Sequence, residues 1–138
     1  MIIVDTNVWS ESLRPQPDQA VLAWLREQHR EAHLAVTTVH ELQFGVLNMP
    51  EGARKESLER AVSRMLVQLA PRVISYDYAA AIAHAELRHH ARETGRAISS
   101  EDGQILAIAA LNGASIATRN VRDFDGFGVP IVNPWEAS

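Results

Sequence analysis

Four acids in this chain stand where short apolar runs give way to polar residues: Asp5, Glu41, Asp102 and Asp123. Asp5 directly follows Ile2-Ile3-Val4. Glu41 and Asp102 each come three residues after a hydroxyl residue suited to a helix cap, Thr38 and Ser99. Asp123 follows Ser115-Ile116-Ala117 by way of Thr118 and Asn120. Carboxylates gathered at one place repel strongly unless a cation sits among them. The chain has no cysteine, so the donors on offer are oxygens, which select hard ions such as Mg²⁺ or Mn²⁺ over zinc. An ion held that way lowers the pKa of bound water and directs it at a phosphodiester. Each acid also has a plainer role to weigh against this. Asp5 suits a strand-to-helix turn. Thr38-x-x-Glu41 and Ser99-x-x-Asp102 read as capping boxes, and Asp123 as a loop charge.

The elements that must position these acids follow from periodicity. Ile2-Ile3-Val4 is a short β-branched strand, ended by Asp5-Thr6-Asn7. Pro15 and Pro17 break the chain, and Val21, Leu22, Trp24 and Leu25 then give a helical face running to about Arg30. Leu34-Ala35-Val36-Thr37 reads as a second strand. A helix opened by Thr38 must stop near Met49, because Pro50 follows. Leu58, Ala61, Val62, Met65, Leu66 and Leu69 recur at helical spacing. Val73-Ile74 predicts a third strand, and an alanine-rich helix runs from about Asp77 to Thr94, with Gly95 as its stop. Ser99 or Ser100 caps a further helix through Leu111. Ser115-Ile116-Ala117 and Pro130-Ile131-Val132 are the last two strands. Strands alternating with helices predict an α/β three-layer sandwich around a mainly parallel sheet of four or five strands. Such sheets bind ligands outside the carboxyl ends of their strands. That is where the four acids fall.

Composition narrows the field further. A length of 138 residues suits one domain, taken here as residues 1–138, since cores usually span roughly 100–200 residues. The lack of cysteine excludes a disulfide scaffold, a thiolate zinc site and a cysteine nucleophile. No apolar stretch reaches the ~18 residues of a membrane span, and Met-Ile-Ile-Val-Asp lacks the features of a secretory signal, so the expected location is cytoplasmic. An excess of 17 acidic over 13 basic residues argues against broad electrostatic binding of nucleic acid. It leaves open a site where a metal ion supplies the positive charge. Six histidines invite a zinc reading. His40-Glu41 starts like an H-E-x-x-H helix, but Phe44 replaces the second histidine, and His84, His89 and His90 form no i, i+4 clamp. Arg88 and Arg92 read as solvated helix positions. Arg119 and Arg122 lie beside the acids and are candidate contacts for substrate phosphates.

Four blocks carry a family likeness. Met1-Ile-Ile-Val-Asp5-Thr6-Asn7, Thr38-Val-His-Glu41-Leu-Gln-Phe-Gly45, Ser100-Glu-Asp102-Gly-Gln-Ile-Leu-Ala107 and Ala117-Thr118-Arg119-Asn120-Val-Arg-Asp123-Phe124 occur in that order over essentially the whole chain. Together they resemble a PIN-domain ribonuclease, and within that group the VapC toxins of bacterial toxin–antitoxin pairs. The closing Val132-Asn133-Pro134-Trp135 is similar to the FitB-like branch.

The resemblance implies a Mg²⁺- or Mn²⁺-dependent endoribonuclease, a homodimer, inhibited by a cognate antitoxin of the VapB or FitA kind. Asp5, Glu41 and Asp102 fall on the family's metal-binding acids, with Thr6 or Thr118 supporting substrate or an acid. Relatives often carry an acid where this chain has Asn120. Asp123 is therefore read as a weaker fourth catalytic acid and Asn120 as a neutral ligand. In related complexes the partner reaches the acidic pocket with an arginine. The apolar face around Leu13, Trp9 and Leu42-Phe44-Leu47 is the expected groove for it. Two alternatives remain open at this point: a structure-specific DNA nuclease on the same fold, and a non-catalytic module that completes a repressor complex.

Overall fold

The computed structural model describes residues 1–137. Five strands, β1 (Ile2–Val4), β2 (Ala32–Ala35), β3 (Val73–Ile74), β4 (Ser115–Ala117) and β5 (Ile131–Val132), form one sheet in the order β3-β2-β1-β4-β5. Every pairing is parallel. Seven helices cover it: α1 (Thr6–Glu11), α2 (Gln19–Glu27), α3 (Val36–Leu47), α4 (Ala53–Leu69), α5 (Tyr78–Glu93), α6 (Ser100–Leu111) and α7 (Val121–Phe124). A 3₁₀ turn, Ala70–Arg72, leads from α4 into β3. No helix among the described residues is long and apolar enough to cross a membrane.

Alternation along each strand divides the core in two. On β1, Val4 joins Val8, Trp9, Val21, Trp24, Leu34, Leu42 and Val62 on one face. Ile3 joins Ile105, Leu106, Ile108, Ile116 and Phe124 on the other. A sheet apolar on both faces needs helices on both, which gives the three layers the strand–helix alternation predicts. Helix α6 buries Ile105 through Ala109 without interruption, as a helix enclosed on most of its circumference must.

Strand order places the site. The chain steps outward from β1 to β2 to β3, then crosses back to pair β4 with the other side of β1. In the β1–β4 register Val4 faces Ala117, so Asp5 and Thr118 leave the sheet side by side at the point where the order reverses. That is the crevice in which open α/β sheets hold ligands.

Several boundaries differ from those expected. β2 begins at Ala32, because its pairing with β1 starts at Ile2–Ala32, and it ends at Ala35. Val36 and Thr37 therefore open α3 rather than close the strand. Ala35 occupies the cap position and makes no side-chain cap bond. Thr38 lies inside the helix, fully buried, and the Thr38–Glu41 capping box does not form. Glu41 sits in the second turn of α3, not the first. The α2 helix stops at Glu27, short of Arg30. Helices α1 and α7 have six and four residues, too few for an apolar period to show. What holds α7 is Phe124, fully buried, a contribution of about 2–3 kcal/mol.

Candidate functional site

Asp5 ends β1 and is also the N-cap of α1: its Oδ1 accepts from the Thr6 backbone N–H at 2.8 Å. The turn-holding role and a site role thus coexist in one carboxylate. Its Oδ2 accepts from Thr118 Oγ1 at 2.8 Å and from Asn7 Nδ2 at 3.3 Å. Thr118 is fully buried, and its hydroxyl in turn accepts from the Asn120 N–H at 3.0 Å. The Thr6 hydroxyl lies 3.1 Å from Glu41 Oε1 and 3.1 Å from Thr38 Oγ1, tying α1 to α3. A second tie, Thr37 Oγ1 to Gln104 Oε1 at 2.7 Å, joins α3 to α6. Asp102 lies in the first turn of α6, where Ser99 caps the helix by accepting from the Asp102 N–H at 3.1 Å. Here the capping residue is as expected.

Asp5, Glu41 and Asp102 line one cleft of about 470 Å³, together with Thr6, Asn7, Ser10, Glu11, Arg14, Arg119, Asn120 and Trp135. Asn120 faces this cleft. Asp123, on α7, does not line it, although its charge acts on both Asp5 and Asp102. Arg119 lines it with its guanidinium 4.8 Å over the Trp135 ring, and its N–H donates to Asn7 Oδ1 at 3.3 Å. The Arg122 side chain is not part of the lining; its carbonyl accepts from Arg96 at 2.9 Å.

The electrostatics are those of a site short of positive charge. Burial pushes the Asp5 carboxyl above its ordinary value, against the opposing hydrogen bonds from Thr118 and Thr6, and Asp123 adds repulsion. Burial likewise raises Glu41, opposed by the Thr6 hydroxyl and reinforced by Asp5, Asp102 and Glu101. Asp102 is pushed up to about 6, first by burial and then by Asp5, Asp123 and Glu101, with Ser99 opposing. Among the described residues no lysine or arginine is paired with any of the three.

A divalent ion fits the donor chemistry, since the acids are oxygen-only, partly desolvated and mutually repelling. Among the described residues no three acids or histidines converge into a closed ligand set. Mg²⁺ typically takes only one or two carboxylates directly and keeps several waters, so it does not require such a set.

Sequence reading missed three residues here. Glu11 is a buried carboxylate at the end of α1, Arg14 an arginine bound to it, and Asn7 a bridge between Asp5 and the Arg119 loop. A carboxylate at helical spacing from Val8 and close to the apolar Trp9 was the available signal for Glu11. The residues of the expected groove do not share one surface. Leu13 and Leu42 line a mainly apolar groove of about 440 Å³, whose other walls are Pro15, Gly45, Val46, Leu58 and Val62 together with the polar Ser10, Arg14, Glu41, Arg54 and Ser57. Trp9 is core, with its indole N–H on the Val4 carbonyl at 3.1 Å. Phe44 and Leu47 lie outside that groove and are exposed, because the α3 face turned to α4 carries Leu42 and Val46. Trp24 is core as well. His84 is half-buried: its Nδ1 meets the Tyr76 hydroxyl at 2.8 Å, and its ring fills the space where a side chain on Gly103 would go.

The chain belongs to the PIN-domain family, whose model matches residues 2–128. It is 41% identical over 138 residues to VapC ribonuclease Y4jK of Sinorhizobium fredii, covering 99% of both chains. It is 39% identical over 137 residues to Toxin FitB of Neisseria gonorrhoeae, covering 98% of this chain and 99% of that one. The crystal structure of FitAcB from Neisseria gonorrhoeae superposes with a TM-score of 0.92 at 36% identity, covering 99% of this chain and all of the other.

Proposed function

We propose that this protein is the toxin of a VapBC- or FitAB-like toxin–antitoxin pair, a Mg²⁺- or Mn²⁺-dependent endoribonuclease. It acts as one PIN-like domain over residues 1–138, in the cytoplasm, as a homodimer bound by its cognate antitoxin. The observation that carries this reading is the cleft itself: Asp5, Glu41 and Asp102, three carboxylates with raised pKa, come together at the switch point of a parallel sheet. The relatives named above share this chain nearly end to end, which supports the toxin role and the antitoxin partner.

In this reading Asp5 and Asp102 would hold the ion, and Glu41 would bind it or orient the attacking water. A bound Mg²⁺ supplies a water acidified enough to attack phosphorus near neutral pH. Thr118 and the Thr6 N–H fix the Asp5 carboxylate, and the Thr6 hydroxyl fixes Glu41. Asn120 is a neutral donor at the cleft wall, and Asp123 shapes the field from outside it. Arg119 contacts substrate phosphate. Arg122, whose side chain lies outside the cleft lining, contacts phosphate farther along the RNA.

The test is cleavage of a mixed RNA pool, with branched and single-stranded DNA alongside, by wild type and Asp102→Asn. The expected result is RNA cleavage by wild type in Mg²⁺ or Mn²⁺, stopped by EDTA, with the variant folded and inactive. Equal cleavage by both proteins, or cleavage of DNA alone, overturns the reading.

A further inference from the structure

Glu11 is only 3% exposed, yet it is a carboxylate. Its Oε2 accepts from the Asp18 N–H at 2.9 Å, closing the proline-bearing loop between α1 and α2. The rest of its acceptor capacity goes to one arginine: Arg14 Nη1 lies 3.1 Å from Oε1 and 3.4 Å from Oε2. The pair is strongly asymmetric, for the Arg14 side chain is 62% exposed. A buried carboxylate needs a cationic partner, and here that partner is a guanidinium held at the solvent-facing wall of the acidic cleft. Nη1 alone meets Glu11; among the described residues the Nε and Nη2 donors make no hydrogen bond. Arg14 lines the acidic cleft in company with Arg119, the two coming from different loops.

We propose that Arg14, oriented by Glu11, is a phosphate-binding residue of the substrate site, holding the RNA backbone beside the acids. The inference rests on the ribonuclease reading above. A polyanion entering a cleft of three carboxylates needs cationic contacts besides any metal, and a planar guanidinium with donors still free matches phosphate oxygens in geometry and charge. Because Glu11 already fixes the side chain, less freedom is lost when phosphate binds.

The experiment measures binding of a labelled mixed-sequence RNA oligonucleotide with Ca²⁺ in place of Mg²⁺, across a KCl series, for wild type, Arg14→Ala and Arg14→Lys. All three are checked for folding by thermal melt. Arg14→Ala should bind about tenfold more weakly at 0.1 M salt. The slope of log affinity against log salt should flatten by about 0.7, the loss of one phosphate contact to a single strand. Arg14→Lys should keep the slope and lose part of the affinity. Unchanged affinity, or weaker binding with the wild-type slope, in folded Arg14→Ala overturns the assignment while the nuclease reading stands. If wild type itself binds no RNA, both fall together.

Discussion

The sharpest consequence of the acidic cleft concerns stability rather than activity. Asp102 titrates near 6 in the folded protein against an ordinary value of 3.8. A folded pKa above the unfolded one means the proton favours the fold. That stabilisation is complete below about pH 4 and is lost as pH rises through 6. Two pH units correspond to about 3 kcal/mol. Asp102 is only half buried in an open cleft, so solvent screening reduces this to about 1–2 kcal/mol. Asparagine keeps the shape and carries no titrating proton. In EDTA, Asp102→Asn should therefore be more stable than wild type by about 1–2 kcal/mol at pH 8, or roughly 4–6 °C for a chain of this size. Near pH 3.5 the two should coincide. Added Mg²⁺ should stabilise wild type by mass action and the variant far less, narrowing or reversing the gap. Urea denaturation at pH 3.5, 6 and 8, with EDTA and with Mg²⁺, reads all of this. A variant less stable than wild type at pH 8 in EDTA, or a difference independent of pH, would refute the claim that ionised Asp102 is held at a cost.

Mn²⁺ affinity should climb between pH 5 and 7 as Asp102, pushed up to about 6, loses its proton to the incoming ion, with proton release visible as buffer-dependent heat in calorimetry; a flat profile would contradict the assignment. Thr118→Val removes the donor to Asp5 while keeping its volume. It should cost about 1–2 kcal/mol in urea denaturation and lower RNA cleavage through a misplaced Asp5. Full activity would mean the Thr118 bond does not set the carboxylate. Gly103→Ala puts a methyl 2.2 Å from His84 Nε2, so the ring must leave Tyr76 or α6 must shift at Asp102. It should destabilise by about 1–3 kcal/mol. Pairing it with His84→Ala should recover part of that loss, and a simple sum of the two costs would exclude the contact.

Legibility in the sequence followed the physics of each signal. Strand β1 announces itself through three β-branched residues, and α4 through an apolar stripe along 17 residues. Helix α1 has six residues and no room for a second apolar turn, so its start shows only as the capping acid Asp5. The second strand was misplaced because Val36-Thr37 has high strand propensity. Pairing to Ile2 and Ile3 sets the real register, and pairing partners are invisible locally. The acids were readable as a set because strand ends of a parallel sheet share one rim. Their ties were not: Thr6 reaching Glu41, or Thr118 reaching Asp5 across 113 positions, depends on packing. Glu11 and Arg14 escaped for the opposite reason, since an acid and a base one turn apart look like any exposed helical pair until one of them is found buried.

The wall between the acidic cleft and the apolar groove is shared: Ser10, Arg14 and Glu41 line both. On the proposed reading this binds captivity to competence. An antitoxin seated against Leu42 and Leu58 would touch side chains that also line the acidic cleft, so an amino-acid change that loosened its grip at that wall would blunt the blade as well. The route by which such a toxin would drift free of its antidote would thereby narrow to the far side of the groove, at the exposed Arg54 and Ser57 of α4, which line the groove but not the cleft.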